Sequence, residues 1–344
     1  MIDFYDITLA LNLFSTEDLK KFWAPGPNPP RRKDEIRAPT WMGPQKFVTH
    51  AGGLSLRVCP QKVLGHWNAI GSDDLRAVVI DTAPPVLRQL GVQVTPQIDR
   101  ALDAGDYQIR GVHIAHQFRY RRCVSEFLER YYILINFSGR VQKMSRGRGM
   151  YINPGSRTVS YCLYDKGHQF RERGRPQYQV QILATTDMLT KASLAYHRDR
   201  HGRAAEWGPR LEIRFGDHFF RENALADGRN WGPDTADTLF RRYMTRLPLP
   251  QRIPITVARA HARQRLTAPA YRTYLLWSSG EQPHDLRFDP RSLSRHRKEI
   301  LEVLGIDIRH TPALALGSRR FIDPATVFDW SLRVQPQDVV PTEE

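Results

Sequence analysis

The segment Val159-Ser160-Tyr161-Cys162-Leu163-Tyr164-Asp165-Lys166-Gly167 and the segment Arg210-Leu211-Glu212-Ile213-Arg214-Phe215 are the two most informative stretches of the chain. Both are rich in β-branched and aromatic residues and are bounded by turn formers, which is the composition of a strand. Successive side chains of a strand point to opposite faces. Tyr164 therefore shares a face with Cys162 and Ser160, and Tyr161 lies on the other with Val159 and Leu163. Arg210, Glu212 and Arg214 share one face of their own strand. Only one of the two tyrosines can then face a site built on this sheet.

Residues 2–9, 54–58, 108–118, 132–137 and 178–183 carry the same composition, so a sheet frames the first two thirds of the chain. Residues 24–44 are Pro-rich with both charge signs and are expected to form a surface loop without a regular element. Residues 73–90 suggest helical pieces broken by Pro84 and Pro85, and 115–129 pass from strand into helix. Past Pro233 the pattern turns helical, at 234–245, 258–266, 271–278 and 292–304 before Gly305. No internal repeat is found. The expectation is an α+β chain with a sheet-based domain over 1–232, a small α-helical domain over 233–330 and a flexible tail over 331–344.

The 344 residues bury a core without any metal or disulfide staple, and 41% hydrophobic with 25% charged residues is a globular balance. No apolar stretch approaches the length of a membrane helix, and the start lacks a basic, cleavable leader, so a cytoplasmic protein with no membrane partner is expected. Cys59, Cys123 and Cys162 show no CxxC spacing, so neither a disulfide framework nor a thiolate metal site is indicated. The 51 Lys and Arg against 36 Asp and Glu give a net charge of +15, and a compact body so charged attracts a polyanion. Nucleic acid is the favoured partner over a merely solvated basic surface. The excess concentrates in 119–148 and 251–320, which suggests two contact surfaces. No RRM or KH motif marks an RNA binder, and no GxxxxGK[ST] loop marks ATP hydrolysis.

Several segments together resemble the gene II/gene X family of replication initiators of filamentous phages and related plasmids. They are Met1-Ile2-Asp3 before an apolar strand, the run from Cys59 to Leu75 containing Pro60, Lys62, Gly65-His66-Trp67-Asn68 and Asp74-Leu75, then Ser156-Arg157 with Tyr164-Asp165-Lys166-Gly167, then Arg210 to Arg214. Leu293 to Lys298 with Gly305 to Ile308 adds a fifth, near the C-terminus. The resemblance implies a nicking-closing enzyme that cuts one strand at a double-stranded origin, starts rolling-circle replication and rejoins the displaced strand. It implies a His-hydrophobic-His endonuclease fold, an antiparallel sheet with helices on one face. A non-catalytic DNA-binding replication regulator of the same family is the alternative.

Nicking that conserves the phosphodiester for later rejoining needs a tyrosine nucleophile, because water cannot store the bond. Tyr164 with Lys166 offers that pair at the family's motif, and Tyr161 is the fallback. The cofactor implied is a divalent metal, Mg²⁺ or Mn²⁺. The family's Arg-hydrophobic-Asp motif aligns with Gly111 to His116, and His113 stands where the Asp would be, which shifts the preference toward Mn²⁺. His113 and Glu212 are the expected ligands, with His116 joining only if a bulge brings it to the same face. Arg210 and Arg214 are expected on phosphate, and Lys62, His66, Asn68 and Arg157 on DNA. His197 and His201, flanked by Arg198 and Arg200, are disfavoured as a metal pair. Arg295, Arg297 and Lys298 lie near the front of a C-terminal helix that would grip the duplex beside the nick. Partners expected are double- and single-stranded origin DNA, a host helicase and polymerase, and a second copy of the chain.

Overall fold

A computed structural model describes residues 1–22, 36–38, 45–50, 53–64, 71–120, 124–125, 127–128, 131, 142–144, 149–184, 186–247, 255–279, 281, 289–304, 308–309 and 327–334. The nine strands are β1 (Ile2–Leu9), β2 (Ile36–Ala38), β3 (Gln45–His50), β4 (Gly53–Val58), β5 (Gln108–Gln117), β6 (Gln142–Met144), β7 (Gly149–Ile152), β8 (Val159–Asp165) and β9 (Pro209–Gly216). They form one sheet in the order β2-β3-β4-β1-β5-β9-β8-β7-β6, with every neighbouring pair antiparallel. The helices are α1 (Thr16–Phe22), α2 (Pro60–Val63), α3 (Leu75–Gln89), α4 (Pro96–Ala104), α5 (Lys166–Gln169), α6 (Arg175–Ala184), α7 (Met188–Glu206), α8 (Asp217–Glu222), α9 (Thr235–Met244), α10 (Ile255–Arg265), α11 (Ala268–Ser278) and α12 (Pro290–Leu304). The chain is α+β, as its composition indicated.

Alternation gives the sheet two unlike faces. Tyr5, Ile7, Leu56, Val112, Ile114, Leu163, Leu211, Ile213 and Phe215 are buried on one, in a core closed by α3, α4, α8 and α9. Each such side chain contributes roughly 1.5–3 kcal/mol on burial, so this face fixes the register of the central strands. The other face of β1, β5, β9 and β8 carries Asp3, His113, Glu212, Arg210 and Tyr164. A sheet packed on one face leaves the second for chemistry.

α10, α11 and α12 build a separate small core from Ala262, Leu266, Ala270, Tyr274, Trp277, Ile300, Leu304 and Ile308. α9 belongs instead to the sheet's core, through Ala236, Leu239, Phe240 and Tyr243. The chain also returns to the sheet. Val327 and Phe328 are buried in its core, Phe328 packs 5.2 Å from Phe118, and Val334 donates to the Gln117 carbonyl. Residues 331–334 are thus tied to the end of β5.

Residues 178–183 are helical, inside α6, and not a strand. They continue the helix that starts at Lys166, and Val180 and Leu183 are exposed, so their alternation does not mark a buried sheet face. Pro84 and Pro85 do not break α3. Their missing amides would have bonded the carbonyls of Ile80 and Asp81, which lie on the exposed side where water can serve, while Val78, Val79, Ala83, Val86 and Leu87 hold the helix to the core. The stretch 24–44 contains β2, paired with β3. β3, β6, β7, α4 and α7 were not read from the sequence, and 132–137 lie outside the described residues.

Candidate active site

β8 pairs with β9 so that Tyr164 stands opposite Arg210 and Cys162 opposite Glu212, while β5 places His113 opposite Arg214 on the other flank of β9. The polar residues of three central strands therefore converge on one face. A β-bulge in β1 between Ile2 and Phe4 sets Asp3 beside them as well. Asp3, Phe4, His113, Tyr164, Glu212 and Arg214 line one cavity of about 830 Å³. Gly149, opposite Tyr164 on β7, leaves room for it, since a Cβ there would sit 3.1 Å from the Tyr164 Cβ.

His113 Nδ1 lies 3.0 Å from Glu212 Oε1, and Arg214 Nε donates to the same oxygen at 2.7 Å. Burial opposes a charge on Glu212, but His113 and Arg214 outweigh it and hold the carboxyl down at about 2. Phe4 packs against His113 in a tilted ring pair, 4.5 Å between centroids, which restrains the imidazole. The contact through Nδ1 leaves Nε2 as the nitrogen with which His113 could meet an ion, the usual carboxylate–imidazole–metal arrangement. Asp3 and His113 offer oxygen and imidazole donors of the kind Mn²⁺ or Mg²⁺ takes, with Glu212 behind the ring on Nδ1 rather than beside an ion on Nε2. The thiols of Cys59 and Cys162, both at this cavity, are pushed up to about 12, chiefly by burial, and offer no thiolate.

Asp165 ends β8 and caps α5, its Oδ1 accepting from the His168 amide at 2.9 Å, and this turn folds Lys166 back under the strand. Lys166 is fully buried and donates to Gln169 Oε1 at 3.0 Å, with its ammonium nitrogen 5.5 Å from the Tyr164 ring centroid. Burial, with Arg210 second, lowers its pKa to about 7. Arg210, also fully buried, bonds Asp3 Oδ1 at 3.0 Å and the Tyr164 hydroxyl. Burial raises the Tyr164 hydroxyl well above its ordinary value, with Arg210 acting in the opposite sense. Tyr164 is thus a phenol at neutral pH, beside an amine that titrates there.

A family model for the N-terminal part of the phage replication-associated protein, the gene II protein, matches residues 45–232, which hold β3 to β9 and most of this cavity. The chain belongs to this family of replication-associated proteins. The replication-associated gene II protein of Enterobacteria phage I2-2 is 24% identical over 256 residues, 73% of this chain and 68% of that protein. No solved structure matches.

Not every expected residue of this gene II-family chain reaches the cavity. Tyr161 is on the apolar face, 5% exposed, and its hydroxyl donates to the Tyr243 carbonyl at 3.1 Å, so it is no substitute nucleophile there. His116 also points away from His113, because β5 runs regularly through His113-Ile114-Ala115-His116 and no bulge intervenes. It packs against Phe240 and Trp330 and lies 3.3 Å from Asp73. The consecutive-face pairing of a His-hydrophobic-His motif is therefore not formed by these two residues.

Asp73, His116 and Asp237 are the one group among the described residues whose donor atoms crowd together as metal ligands do. The α-amino group of Met1 pairs with Asp73, and Arg333 bonds Asp237 at 2.8 Å and Asp73 at 3.4 Å. Two cations already neutralise these carboxylates, so the cluster reads as a structural network.

Lys62 lies on α2 close enough to influence Lys166 and Cys59. Arg157 is exposed and pairs with Asp217 at 3.7 Å, away from the cavity lining. His66 and Asn68 lie outside the described residues. Arg295, Arg297 and Lys298 are on α12, in the separate helical unit. His201 is buried against the Tyr178 hydroxyl at 2.7 Å, a structural role for that histidine.

Asp3, Tyr151 and Cys162 line the cavity without having been assigned a role from sequence. Asp3 had a signal, Met1-Ile2-Asp3 at the head of an apolar strand, but regular alternation does not reveal the bulge that turns it inward.

Proposed function

We propose that this chain is a rolling-circle replication initiator that nicks one strand of an origin and later rejoins it, with Tyr164 as the nucleophile. The supporting observation is that Tyr164, His113, Asp3 and Glu212 line one cavity on the polar sheet face, with Lys166 buried behind Tyr164. The Tyr164 oxygen attacks the scissile phosphorus and the 3′ oxygen leaves, so a phosphotyrosine forms on the 5′ end. The neutral amine of Lys166 takes the phenolic proton, the departing 3′ oxygen takes one up to become the free 3′ hydroxyl, and a base that titrates near the working pH is well matched to this exchange. Attack of a free 3′ hydroxyl on the phosphotyrosine reverses the step and returns the proton to Tyr164.

Arg210 holds Asp3 and the Tyr164 hydroxyl in place, and Arg214, stacked 5.3 Å over Tyr151 at the cavity, is placed for a phosphate oxygen. A divalent ion, Mg²⁺ or Mn²⁺, held by His113 through Nε2 with Asp3, while Glu212 orients the ring through Nδ1, would polarise the scissile phosphate. The likeness to His-hydrophobic-His endonucleases would then lie in the sheet and the chemistry, with one histidine where that motif carries two.

Duplex binding falls to the helical unit. Glu299 on α12 accepts from the Thr267 amide at 2.6 Å, and His296 bonds Thr273 at 2.8 Å, so α11 and α12 are locked as a pair. Arg295 and Lys298 are exposed on α12, with Arg297 half-buried beside them. This is a helix-turn-helix-like arrangement for gripping origin DNA.

The test is to incubate the protein with supercoiled DNA carrying its own replicon and Mg²⁺ or Mn²⁺, then run a denaturing gel. Nicked DNA bearing protein on a 5′ end, lost in Tyr164→Phe, supports the reading. Salt-sensitive binding without cleavage in either metal would leave the non-catalytic regulator in its place.

A further inference from the structure

A second cavity, of about 570 Å³, opens where β5 and β9 run out, and it shares no lining residue with the first. Arg119, Tyr120, Arg203, Glu206 and Trp207 enclose it. The two strand ends are unusually close. Gly208 has φ +155°, and a Cβ there would lie 2.3 Å from the Phe118 carbonyl oxygen. The Tyr120 amide donates to the Trp207 carbonyl at 2.8 Å, and the Arg119 amide to the Leu332 carbonyl at 2.8 Å, so the walls are held by backbone. The Arg119 guanidinium lies 4.7 Å from the Trp207 ring centroid.

We propose that this cavity holds one unpaired nucleobase of the bound DNA strand, stacked on the Trp207–Arg119 pile, with the adjoining phosphates on Arg119 and Arg203. An aromatic ring and a guanidinium plane are the surfaces on which unstacked bases are held, and both arginines are exposed for phosphate. Glu206, whose charge is offset by Arg171 at 3.7 Å, supplies an acceptor for a base's exocyclic amine. Location fits the same occupant. Trp207 precedes Arg210 by three residues, about 10 Å along a strand, and Arg210 stands opposite Tyr164. A strand threaded past Tyr164 reaches the cavity within a few nucleotides. The inference rests on reading DNA as the substrate, and it adds a subsite that tells unpaired from paired DNA.

The experiment is fluorescence anisotropy with a labelled mixed-sequence 12-mer, as a single strand and as a duplex, using the full chain without added metal. Trp207→Ala is expected to weaken single-strand binding about 5- to 100-fold and duplex binding less than twofold. Trp207→Phe, which keeps a stacking ring, restores most of it. A double variant, Arg119→Ala with Arg203→Ala, both on the surface, should flatten the salt dependence of single-strand binding. Thermal midpoints verify that each variant is folded. Unchanged single-strand affinity in folded Trp207→Ala, or an equal loss on single strand and duplex, overturns the proposal. If the protein never nicks DNA yet binds single strands through Trp207, the initiator reading fails and this one stands. If it nicks and Trp207 is irrelevant to single strands, only this one fails.

Discussion

Lys166 lies beneath Tyr164, its nitrogen 5.5 Å from the ring centroid, fully buried where Tyr164 is half-buried at the cavity. Burial acts on the two in opposite directions, raising the phenol and lowering the ammonium. These shifts draw the two proton affinities apart, so the phenolic proton passes to Lys166 only as the Tyr164 oxygen bonds to phosphorus. The neutral amine is the form that accepts the proton, so nicking should climb with pH through about 7 and level off above it. Lys166→Arg, which keeps its charge at every such pH, should lose roughly 10²–10⁴-fold and show no such rise. Single-turnover nicking between pH 5.5 and 8.5 measures this. A rate that falls through the same range would mean that the charged ammonium is the working form.

The Nδ1 contact of His113 to Glu212 gives the imidazole a defined place at the cavity. Replacing the nitrogen by oxygen makes the donor set harder. His113→Asp should therefore bind Mg²⁺ more tightly relative to Mn²⁺ than the natural chain does. Calorimetric titration of each ion, without DNA, gives the two affinities. An unchanged ratio would remove His113 from the ligand set.

Alternation was the part of the sequence that carried furthest. It separated Tyr164 from Tyr161 and His113 from His116, because the β8, β9 and β5 ladders run in register through these residues. It failed where geometry departs from the regular strand or where the environment decides. The bulge that brings Asp3 inward leaves no composition signal, and Tyr178 to Leu183 alternates yet continues a helix. The return of Val327 and Phe328 to the sheet's core depends on aromatic partners over 190 residues away, Phe118 and Phe127, which no local window contains.

Gly208 joins α7 to β9 at the point where the chain passes closest to the end of β5. A side chain there meets the Phe118 oxygen at 2.3 Å and the Tyr120 Cβ at 2.8 Å, in a backbone conformation that favours glycine. Gly208→Ala should lower stability by about 2–4 kcal/mol. Urea unfolding followed by circular dichroism reads the loss, and a midpoint within error of the natural chain would show that the strand ends can part at little cost.

His116 provides the acid-side prediction. Burial, with the Met1 amino group second, lowers its pKa to about 3, against 6.5 in an unfolded chain, although Asp73 pulls the other way. Between those values the unfolded chain takes up a proton that the folded one refuses. Stability contributed by the neutral ring is full above about 6.5 and declines as pH falls toward 3. Glu212 adds to the same decline lower down, since its carboxyl is held at about 2 against an ordinary 4.5 and must be protonated to unfold in acid. His116→Gln keeps a polar group beside Asp73 but cannot titrate. It should cost about 1–3 kcal/mol at neutral pH through imperfect hydrogen bonds, yet lose less stability than the natural chain between pH 6.5 and 4.5, where Glu212 contributes little. Melting temperatures across that interval decide the matter, and parallel curves would mean that His116 is not the group taking up the proton.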